Sequence, residues 1–359
     1  MASDFFGIKV GSEKYLGVDI GTSVIKIAEL SQHGKRKKLD NYGEMGASSL
    51  YEKPFRTFEK STLTVSNSDV VKSITAILSE AKIETKDAYF SIPDFSTFFT
   101  AFRLPSMSKE ELPQAVQYEA RQHIPLPLSE VTLDWQIIGE KTINRKLSDF
   151  NILLVAVPNE VINQYQEIAK TVGLNMVALE AEIFCSARAV ANKEKEVVML
   201  IDLGARSTTI SIVDSGLVKI SHSFDTAGND FTNLISRGLN LELSEAERAK
   251  RGQGIRQSQD TAVRGAILPM IDLIVGEIKK ILSNFSSQDG KKPSKIILAG
   301  GTALLPGLTG YFSEAADMAV EIANPFADLY CPPILNDVLS EMGPAYTVAV
   351  GAAMRGFEQ

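Results

Sequence analysis

The sequence predicts a two-lobed α/β protein whose second half repeats the architecture of the first. The chain has 359 residues, of which 44% are hydrophobic and 23% charged. That length exceeds one compact core of ordinary size, and the composition is globular. Each half opens with an apolar strand, an Asp, one apolar residue, a Gly-containing turn and a returning strand, at Tyr15–Leu30 and at Val197–Val213. This repetition indicates two related lobes that face each other.

Composition and charge exclude several classes of protein. The formal net charge is −7, from 37 Lys and Arg against 44 Asp and Glu, which disfavours a broad nucleic-acid surface. Cys185 and Cys331 lie far apart without neighbouring ligand residues, which excludes a zinc site and suits a reducing cytoplasm. Met1–Tyr15 lacks the apolar core of a secretory signal, and no apolar run approaches the ~20 residues of a membrane span. We expect a cytoplasmic protein that reaches a membrane only through partners.

The order of elements predicts an insertion within the first lobe. A polar stretch with the basic cluster Lys35–Lys38 is predicted to be turn and loop as far as about Ser68, and a helix follows over Asp69–Ala81. From Ala88 to Pro158, strand-like segments surround one helical piece that is stopped by Pro125. This change in the sequence pattern predicts a small α+β unit.

Three more helices are predicted farther along the chain. One is capped by Asn159 and closed by Gly173, since a glycine favours the left-handed conformation that ends helices. The others cover Ala266–Phe285 and Tyr346–Arg355.

Two loops have the composition of phosphate-binding turns. A glycine in such a turn lets backbone N–H groups approach phosphate oxygens, and flanking hydroxyls add donors. An Asp at the end of each preceding strand could hold the water shell of Mg²⁺. Side chains alternate along the first returning strand, which points Lys26 towards the ligand side of the first turn. The loops are Asp19-Ile20-Gly21-Thr22-Ser23 and Asp202-Leu203-Gly204-Ala205-Arg206-Ser207-Thr208.

Either loop alone is better explained as a solvated hairpin turn, because the Asp-x-Gly tripeptide is common. The occurrence of both, one at the start of each half, favours phosphate binding. An aspartic protease would carry Thr or Ser after the Asp, where this chain has Ile20 and Leu203.

Two further segments suit the nucleoside part of a ligand. The strand Ile296–Ala299 leads into Gly300-Gly301-Thr302-Ala303-Leu304, where a diglycine turn would let backbone lie flat against a purine. Glu247 and Lys250, three residues apart on one helix face, could contact a ribose and a base. The alternatives are a plain strand-to-helix turn and a solvated ion pair worth about a few tenths of a kcal/mol.

In this order, the segments resemble the signature of the actin-like ATPase superfamily, which includes actin, heat-shock chaperone ATPase domains, sugar kinases, FtsA, MreB and PilM. Asp19–Ser23 with Lys26 resembles its first phosphate loop, and Asp202–Thr208 resembles its second. Gly300–Leu304 resembles the adenosine motif, and Glu247–Arg251 the helix that contacts ribose and base in the chaperones. The resemblance implies two ribonuclease-H-like lobes with ATP and Mg²⁺ in the cleft between them.

Within that superfamily the chain resembles the PilM family over nearly its whole length. Phe6–Leu30 is similar to the family's N-terminus, and Gly173–Arg188 to its first interlobe helix. Leu104–Leu112, with Glu119 and the following His123-Ile124-Pro125, is similar to its inserted subdomain. The expected absence of a closing amphipathic membrane helix favours PilM over FtsA.

The resemblance also implies roles for single residues. Glu182 falls where the superfamily positions water for hydrolysis, although an acid at a helix start is equally explained by the helix dipole. Arg206 departs from the pattern, as a long cation that tunes or replaces a phosphate contact. Asp19 and Asp202 are implied to hold Mg²⁺ through water. The residues implied to bind ATP are Asp19, Gly21, Thr22, Ser23, Lys26, Asp202, Gly204, Arg206, Ser207, Thr208, Glu247, Lys250, Gly300, Gly301 and Leu304.

The function implied by the resemblance is that of an ATP-binding scaffold, with at most slow ATPase activity, beneath the bacterial inner membrane. Its partner would be the cytoplasmic N-terminal peptide of PilN, bound around Leu104–Ile138, with pilus motor or platform proteins as further partners. A homo-oligomer is compatible with the fold. An FtsA-like or actin-like polymer and a small-molecule kinase are the alternatives, although no catalytic Asp for a kinase can be placed. The implied division is 1–87, 159–195 and 330–359 for the first lobe, 88–158 for the insertion and 196–329 for the second lobe.

Overall fold

The computed structural model describes residues 13–34, 36–46, 56–59, 62–65, 67–143, 146–257 and 261–358. The predicted motif at Phe6-Gly7 and the residues Lys35 and Gln359 lie outside that part of the chain. The strands are β1 (Glu13–Ile20), β2 (Val24–His33), β3 (Arg36–Gly46), β4 (Arg56–Glu59), β5 (Thr62–Val65), β6 (Asp87–Ile92), β7 (Phe98–Pro105), β8 (Val131–Ile143), β9 (Lys146–Pro158), β10 (Asn175–Ala181), β11 (Val198–Leu203), β12 (Thr208–Asp214), β13 (Leu217–Phe224), β14 (Lys295–Ala299), β15 (Ala319–Ile322) and β16 (Leu329–Tyr330). The helices are α1 (Asn67–Glu80), α2 (Leu112–His123), α3 (Asn159–Val172), α4 (Glu182–Val190), α5 (Gly228–Leu239), α6 (Leu243–Gln253), α7 (Ala262–Asp289), α8 (Leu308–Ala316) and α9 (Asn336–Met354).

The predicted duplication is present as two sheets of equivalent topology. The first has the strand order β10-β6-β1-β2-β3-β16 and the second the order β13-β12-β11-β14-β15. Each contains an antiparallel meander of three strands, β1-β2-β3 or β11-β12-β13, followed by two strands parallel to the first strand of the meander. β16 is an addition that pairs with the outer edge of β3. The two-lobed α/β prediction is confirmed.

β3 lies where the sequence analysis predicts turn and loop before Ser68, so that prediction is wrong for this segment. It pairs antiparallel along the whole of β2, from His33 with Arg36 to Val24 with Gly46. Leu39 is its one buried residue, so the strand lacks the apolar alternation by which strands are usually detected. Pairing with β2 on one side and β16 on the other holds this segment in the sheet.

The predicted helices are present with shifted ends. Gly173 ends α3 in the left-handed conformation, at φ 74°, as expected. Asn159 is the first residue of α3 rather than its cap, and its side chain bonds to Thr132 and to the backbone of Ser129. α9 begins ten residues before the predicted start at Tyr346, and Pro344 lies in its interior.

The insertion is a three-stranded sheet, ordered β7-β9-β8, with α2 on one face. Leu112, Val116 and Ala120 of α2 pack on that face to form a separate small core. The other face contributes Leu153 to the core of the first lobe. β6, which the sequence placed inside the insertion from Ala88, instead pairs with β1 in the six-stranded sheet.

Two helices cross where the lobes meet. α9 packs on β1 and β2 of the first sheet and also reaches β14 of the second. A Cβ on Gly17 would overlap the Ala349 carbonyl, and one on Gly351 would overlap the Cys185 carbonyl of α4. α9 therefore lies in backbone contact with both β1 and α4.

Because of this backbone contact, one methyl group added at the crossing should strongly reduce the stability of the protein. Gly351→Ala should lower the free energy of unfolding by roughly 1–3 kcal/mol or more, because rigid backbone rather than a side chain must move. The matched control is Gly276→Ala within α7, where a Cβ meets nothing within 4 Å, and where we expect a neutral effect or up to about 1 kcal/mol of stabilisation. Urea unfolding followed by circular dichroism measures both, and equal stabilities would contradict the predicted backbone contact.

Candidate functional site

The first loop holds a buried carboxylate at the end of β1. Asp19 is 4% exposed, and the Ser91 hydroxyl of β6 donates to its Oδ1 at 3.1 Å. Lys26 Nζ on β2 lies 3.5 Å from Oδ2. The turn that follows needs a glycine, because a Cβ on Gly21 would lie 2.6 Å from the Val24 carbonyl oxygen. The loop thus offers a carboxylate and an ammonium group at one strand end.

The second loop places Asp202 at the equivalent position in the other sheet. It is the penultimate residue of β11, as Asp19 is of β1. Burial and the negative charge of Asp19 raise the pKa of Asp202 to about 6, against the opposing effect of Lys26. The three charged groups therefore share one site between the lobes.

Asp94 is a third buried carboxylate, and sequence reasoning missed it. It lies in a short 3-10 helix, Asp94–Ser96, after β6, and is 4% exposed. Its Oδ1 accepts the N–H of Ile183, in the first turn of α4, at 3.2 Å. Burial and the charge of Asp202 raise its pKa to about 7, although the Ile183 N–H and the Thr209 hydroxyl act in the opposite direction. Asp94 thus connects α4 with the loop that contains Asp202.

The second loop is closed by its own backbone. The Gly204 N–H donates to the Ser207 carbonyl at 3.1 Å, and the Thr208 hydroxyl donates to the Thr226 carbonyl at 2.5 Å. The Arg206 guanidinium lies 5.8 Å from the centre of the Phe95 ring, in the first lobe. Arg206 therefore spans the cleft, and its predicted contact with phosphate stays a prediction.

The start of α5 supports this loop and was also missed. The Gly228 N–H donates to the Gly204 carbonyl at 3.1 Å, and the Asn229 N–H donates to the Ala205 carbonyl at 2.8 Å. The Asn229 amide lies 3.5 Å from the hydroxyl of Ser23 in the first loop. The two predicted loops therefore meet across the cleft through a helix start that the sequence analysis had not assigned.

The two glycines of the predicted adenosine motif differ in their surroundings. Gly300 has φ +90°, its N–H donates to the Pro344 carbonyl at 2.8 Å, and a Cβ would come within 2.5 Å of Asp202 Oδ1. Gly301 has open space where a Cβ would be, and Leu304 is 45% exposed beside it. Gly300 therefore fixes the turn, while Gly301 and Leu304 leave an open surface of backbone and apolar side chain.

Glu247 and Lys250 form a buried support, which corrects the alternative of a solvated ion pair. Lys250 is 6% exposed, and its ammonium donates to the Gly228 carbonyl at 3.0 Å and to the Thr232 hydroxyl at 2.9 Å, and lies 2.6 Å from Glu247. Burial would raise the pKa of Glu247, but the Lys250 charge and the surrounding hydrogen bonds lower it to about 2. All three donors of Lys250 are directed at protein acceptors, so it holds α5 in place, while the Glu247 side chain stays 33% exposed.

Glu182 is the first residue of α4, directly after β10. Asp19, Ser91 and Glu180 lie side by side in register across the first sheet, so Glu182 follows at the same edge, two residues beyond that row. Its hydrolytic role stays a prediction.

No group of three or more His, Cys, Asp or Glu side chains within the described ranges is arranged to hold a metal ion. The predicted Mg²⁺ site at Asp19 and Asp202, with the cation held through water, stays a prediction.

Comparison with known proteins identifies the family. Residues 17–357 match the family model described as type IV pilus assembly protein PilM. The chain belongs to the PilM family. A solved PilM–PilN type IV pilus biogenesis complex contains a chain that is 25% identical to it, with a TM-score of 0.82 and with 96% of this chain and 99% of that chain covered.

Two further comparisons place this PilM-family chain among actin-like proteins. Cell division protein FtsA of Pseudomonas aeruginosa is 26% identical over 280 residues, which cover 68% of this chain and 64% of the relative. Less than two thirds of that FtsA is therefore spanned. MreB5 of Spiroplasma citri bound to AMPPNP is 13% identical with a TM-score of 0.54, and 96% of each chain is covered. The predicted actin-like fold is confirmed.

Across the described ranges, no helix combines the length and the apolar character that crossing a membrane requires.

The raised pKa of Asp94 predicts a pH dependence of stability. Its pKa is about 7 in the folded state against roughly 3.9 in an unfolded chain. The folded state therefore binds this proton more tightly, and the stability it contributes is lost as pH rises from about 4 to about 7. Asp94→Asn keeps an oxygen for the Ile183 N–H but cannot ionise. As pH rises from about 4 to about 7, we expect the free energy of unfolding of Asp94→Asn to increase relative to that of the unsubstituted protein, by on the order of a few kcal/mol.

Asp214 supplies a control of opposite sign. A hydrogen bond from Lys291 at 2.7 Å lowers its pKa, so its contribution is present at neutral pH and is lost as pH falls. Asp214→Asn should therefore be destabilising at pH 7 and less so in acid. Denaturant unfolding at several pH values, without nucleotide or Mg²⁺, distinguishes the two, and parallel pH profiles for both variants would contradict the assignment.

Proposed function

We propose that the protein is an ATP-binding scaffold of the type IV pilus inner-membrane assembly complex. One observation carries the proposal. Asp19 and Asp202 end equivalent strands of two equivalent sheets, and their charges meet in one cleft with Lys26 as the nearby cation. A cation–phosphate ligand suits such a cleft, because the cation offsets the carboxylates while the phosphates accept hydrogen bonds from the loops.

The surrounding residues fit a nucleotide. Gly21, Thr22 and Ser23 of the first loop, with Gly204, Ser207 and Thr208 of the second, would hold the phosphates. The open surface at Gly301 and Leu304 would take the base, and the exposed part of Glu247 would take the ribose. When bound, Mg²⁺–ATP supplies positive charge between the carboxylates and a polyphosphate that both loops can bind. The shared fold with an AMPPNP-bound MreB5 supports this reading.

Lys250 has a different role in the proposal from the one that the resemblance implies. It fixes Gly228, which in turn bonds to Gly204. It would thus act on the nucleotide through the second loop. Glu182 is proposed to position water for a slow hydrolysis, since a scaffold needs nucleotide to stabilise one lobe arrangement more than it needs turnover.

The proposed partner is a membrane protein's short cytoplasmic peptide of the PilN type. Similarity to a chain of a solved PilM–PilN complex supports it. The predicted segment Leu104–Ile138 largely forms the insertion's own core, with Trp135 packed on the α2 side. Glu111 accepts the Ser108 N–H at 2.9 Å, so it stabilises its own turn.

The opposite face of the inserted sheet is the better candidate for the peptide. There Val155 of the central strand β9 is half-buried and is flanked in register by Phe99 of β7 and Asp134 of β8. Asp134 is exposed. An apolar strand next to a carboxylate suits an extended peptide with apolar and basic side chains.

We therefore propose a domain division that follows the sheets. The insertion covers 98–158, the first lobe 13–97, 159–195 and 329–358, and the second lobe 196–328. An FtsA-like polymer is the second candidate function, favoured by 26% identity to FtsA, and sedimentation of filaments in Mg²⁺–ATP would support it instead.

Loss of either loop should weaken nucleotide binding. Asp202→Ala removes the carboxylate, and Gly204→Val adds atoms where even a Cβ would lie 2.9 Å from the Ser207 carbonyl. Each should weaken Mg²⁺–ATP binding by at least about 1–3 kcal/mol in calorimetry. Asp214→Ala is the control, since it removes an Asp from the far end of β12. Unchanged affinity in both loop variants would exclude the proposed cleft.

Charge reversal should weaken peptide binding at the inserted sheet. Asp134→Lys replaces an exposed carboxylate, so a basic PilN-type peptide should bind at least tenfold more weakly to the full-length chain, while Mg²⁺–ATP binding is unchanged. Gln114→Lys on the exposed side of α2 adds a charge on the opposite face and should leave affinity unaltered. Fluorescence anisotropy with a labelled peptide measures both, and equal affinities would place the partner elsewhere.

A further inference from the structure

An apolar surface lies at the far edge of the six-stranded sheet. Tyr330 is 60% exposed, Ile334 89% and Val338 49%, within nine consecutive residues. Other exposed large apolar residues of the described chain, such as Tyr118, Val177 and Leu273, are far from these in the sequence. We call Tyr330, Ile334 and Val338 the edge patch. Isolated exposed apolar residues are ordinary, whereas a cluster indicates an interaction site.

The edge patch is held on a rigid support. Leu329 and Leu339, on either side of it, are buried in a core that α9 forms with β2 and β3. Between them, the short 3-10 helix Pro333–Leu335 follows Pro332 and continues into α9. Prolines restrict this turn, so Ile334 projects from a fixed backbone. Little conformational entropy would be lost when a partner covers it.

Charge decides what kind of partner fits. Asp337 and Glu341 are exposed, lie four residues apart on α9 and flank Val338 in sequence. Within the described residues neither takes part in an ion pair, whereas Asp328 is paired with Lys193. Lys38, which is in register with Tyr330, is already paired with Asp40 at 2.7 Å. The carboxylates of Asp337 and Glu341 would therefore repel an anionic membrane surface. A twofold contact between two copies would bring the same carboxylates together, which is also unfavourable.

We propose that the edge patch is a second docking surface, whose occupant is a protein segment with an apolar stripe flanked by Lys or Arg. This goes beyond the proposed peptide site. The insertion leaves the first sheet at β6, and β16 is four strands away in the same sheet, roughly 19 Å at the usual strand spacing. Two partners can therefore be bound at the same time, and the chain joins them.

The test uses the full chain and two synthetic 18-residue helical peptides. Both have one leucine stripe, flanked by Lys in one and by Glu in the other, and fluorescence anisotropy measures binding. We expect the Lys peptide to bind at least tenfold more tightly than the Glu peptide. Ile334→Gln, which removes the apolar side chain without adding a charge, should weaken the Lys peptide at least tenfold, whereas Leu273→Gln, at a residue that is 60% exposed on α7, should not.

The double variant Asp337→Lys with Glu341→Lys should invert the preference between the two peptides, which non-specific adhesion would not do. Val338→Gln replaces Ile334→Gln if that variant fails to fold, as judged by its circular dichroism and thermal transition. Absence of binding, or a preference that charge reversal leaves unchanged, overturns the proposal. Binding to phosphatidylglycerol vesicles that Ile334→Gln abolishes would assign the patch to a membrane. Self-association in sedimentation that the same variant abolishes would assign it to a second copy.

Discussion

The backbone contact between α4 and α9 is the constraint on which the cleft depends. Because Gly351 lets the two helices meet at Cys185, both helices reach the boundary between the lobes. The Ile183 N–H in the first turn of α4 donates to Asp94, and the Pro344 carbonyl of α9 accepts the Gly300 N–H. Asp94 lies two residues after β6, and Gly300 directly follows β14. The two crossing helices are therefore hydrogen-bonded to the segments that follow a strand of each sheet.

The cleft contains several buried carboxylates, an arrangement that is unfavourable for the stability of the fold. Asp19, Asp94 and Asp202 are brought together with Lys26 as the cation beside Asp19. Burying carboxylates without full compensation destabilises a protein, and the raised pKa values of Asp94 and Asp202 express that cost. The Glu247–Lys250 pair shows the opposite arrangement, since its charges are matched and fully hydrogen-bonded. This unbalanced negative charge supports the proposal that the cleft binds a cation together with the phosphates of a nucleotide.

Much of this could be predicted from the sequence, and the limits have physical causes. The two Asp loops were visible because strand, carboxylate, glycine and hydroxyl are contiguous along the chain, so a short pattern contains the whole feature. Asp94 carries no such pattern, since its partners Ile183 and Asp202 are about 90 and 108 positions away along the printed sequence. The burial of Lys250 depends on α5 packing over α6, which helical spacing does not reveal. β3 was not predicted because its own side chains are mostly polar, and pairing with neighbouring strands holds it in the sheet.

One contact relates the nucleotide cleft to the inserted sheet. β13 is the edge strand of the second sheet and touches both β7 and β8. Its Lys219 donates to the backbone carbonyl of Ile138, which lies where the register between β8 and β9 shifts. A β-bulge leaves an extra residue outside the ladder, so this carbonyl is available to another partner. Any rotation of the second lobe about α4 and α9 must carry the insertion along or break this bond.

The free energy of this hydrogen bond is large enough to couple the cleft to the inserted sheet. Burial lowers the pKa of Lys219, so the ammonium is partly desolvated, and leaving it without an acceptor costs about 1–3 kcal/mol. Coupling free energies between sites are typically about 1–3 kcal/mol as well. Ile138 is at the same time buried in an apolar core to which both lobes contribute, together with Val218, the neighbour of Lys219 in β13. Under the proposed function, a nucleotide that fixed the angle between the lobes would also fix the position of the inserted sheet. A partner bound to that sheet would then change the affinity of the cleft by the same factor.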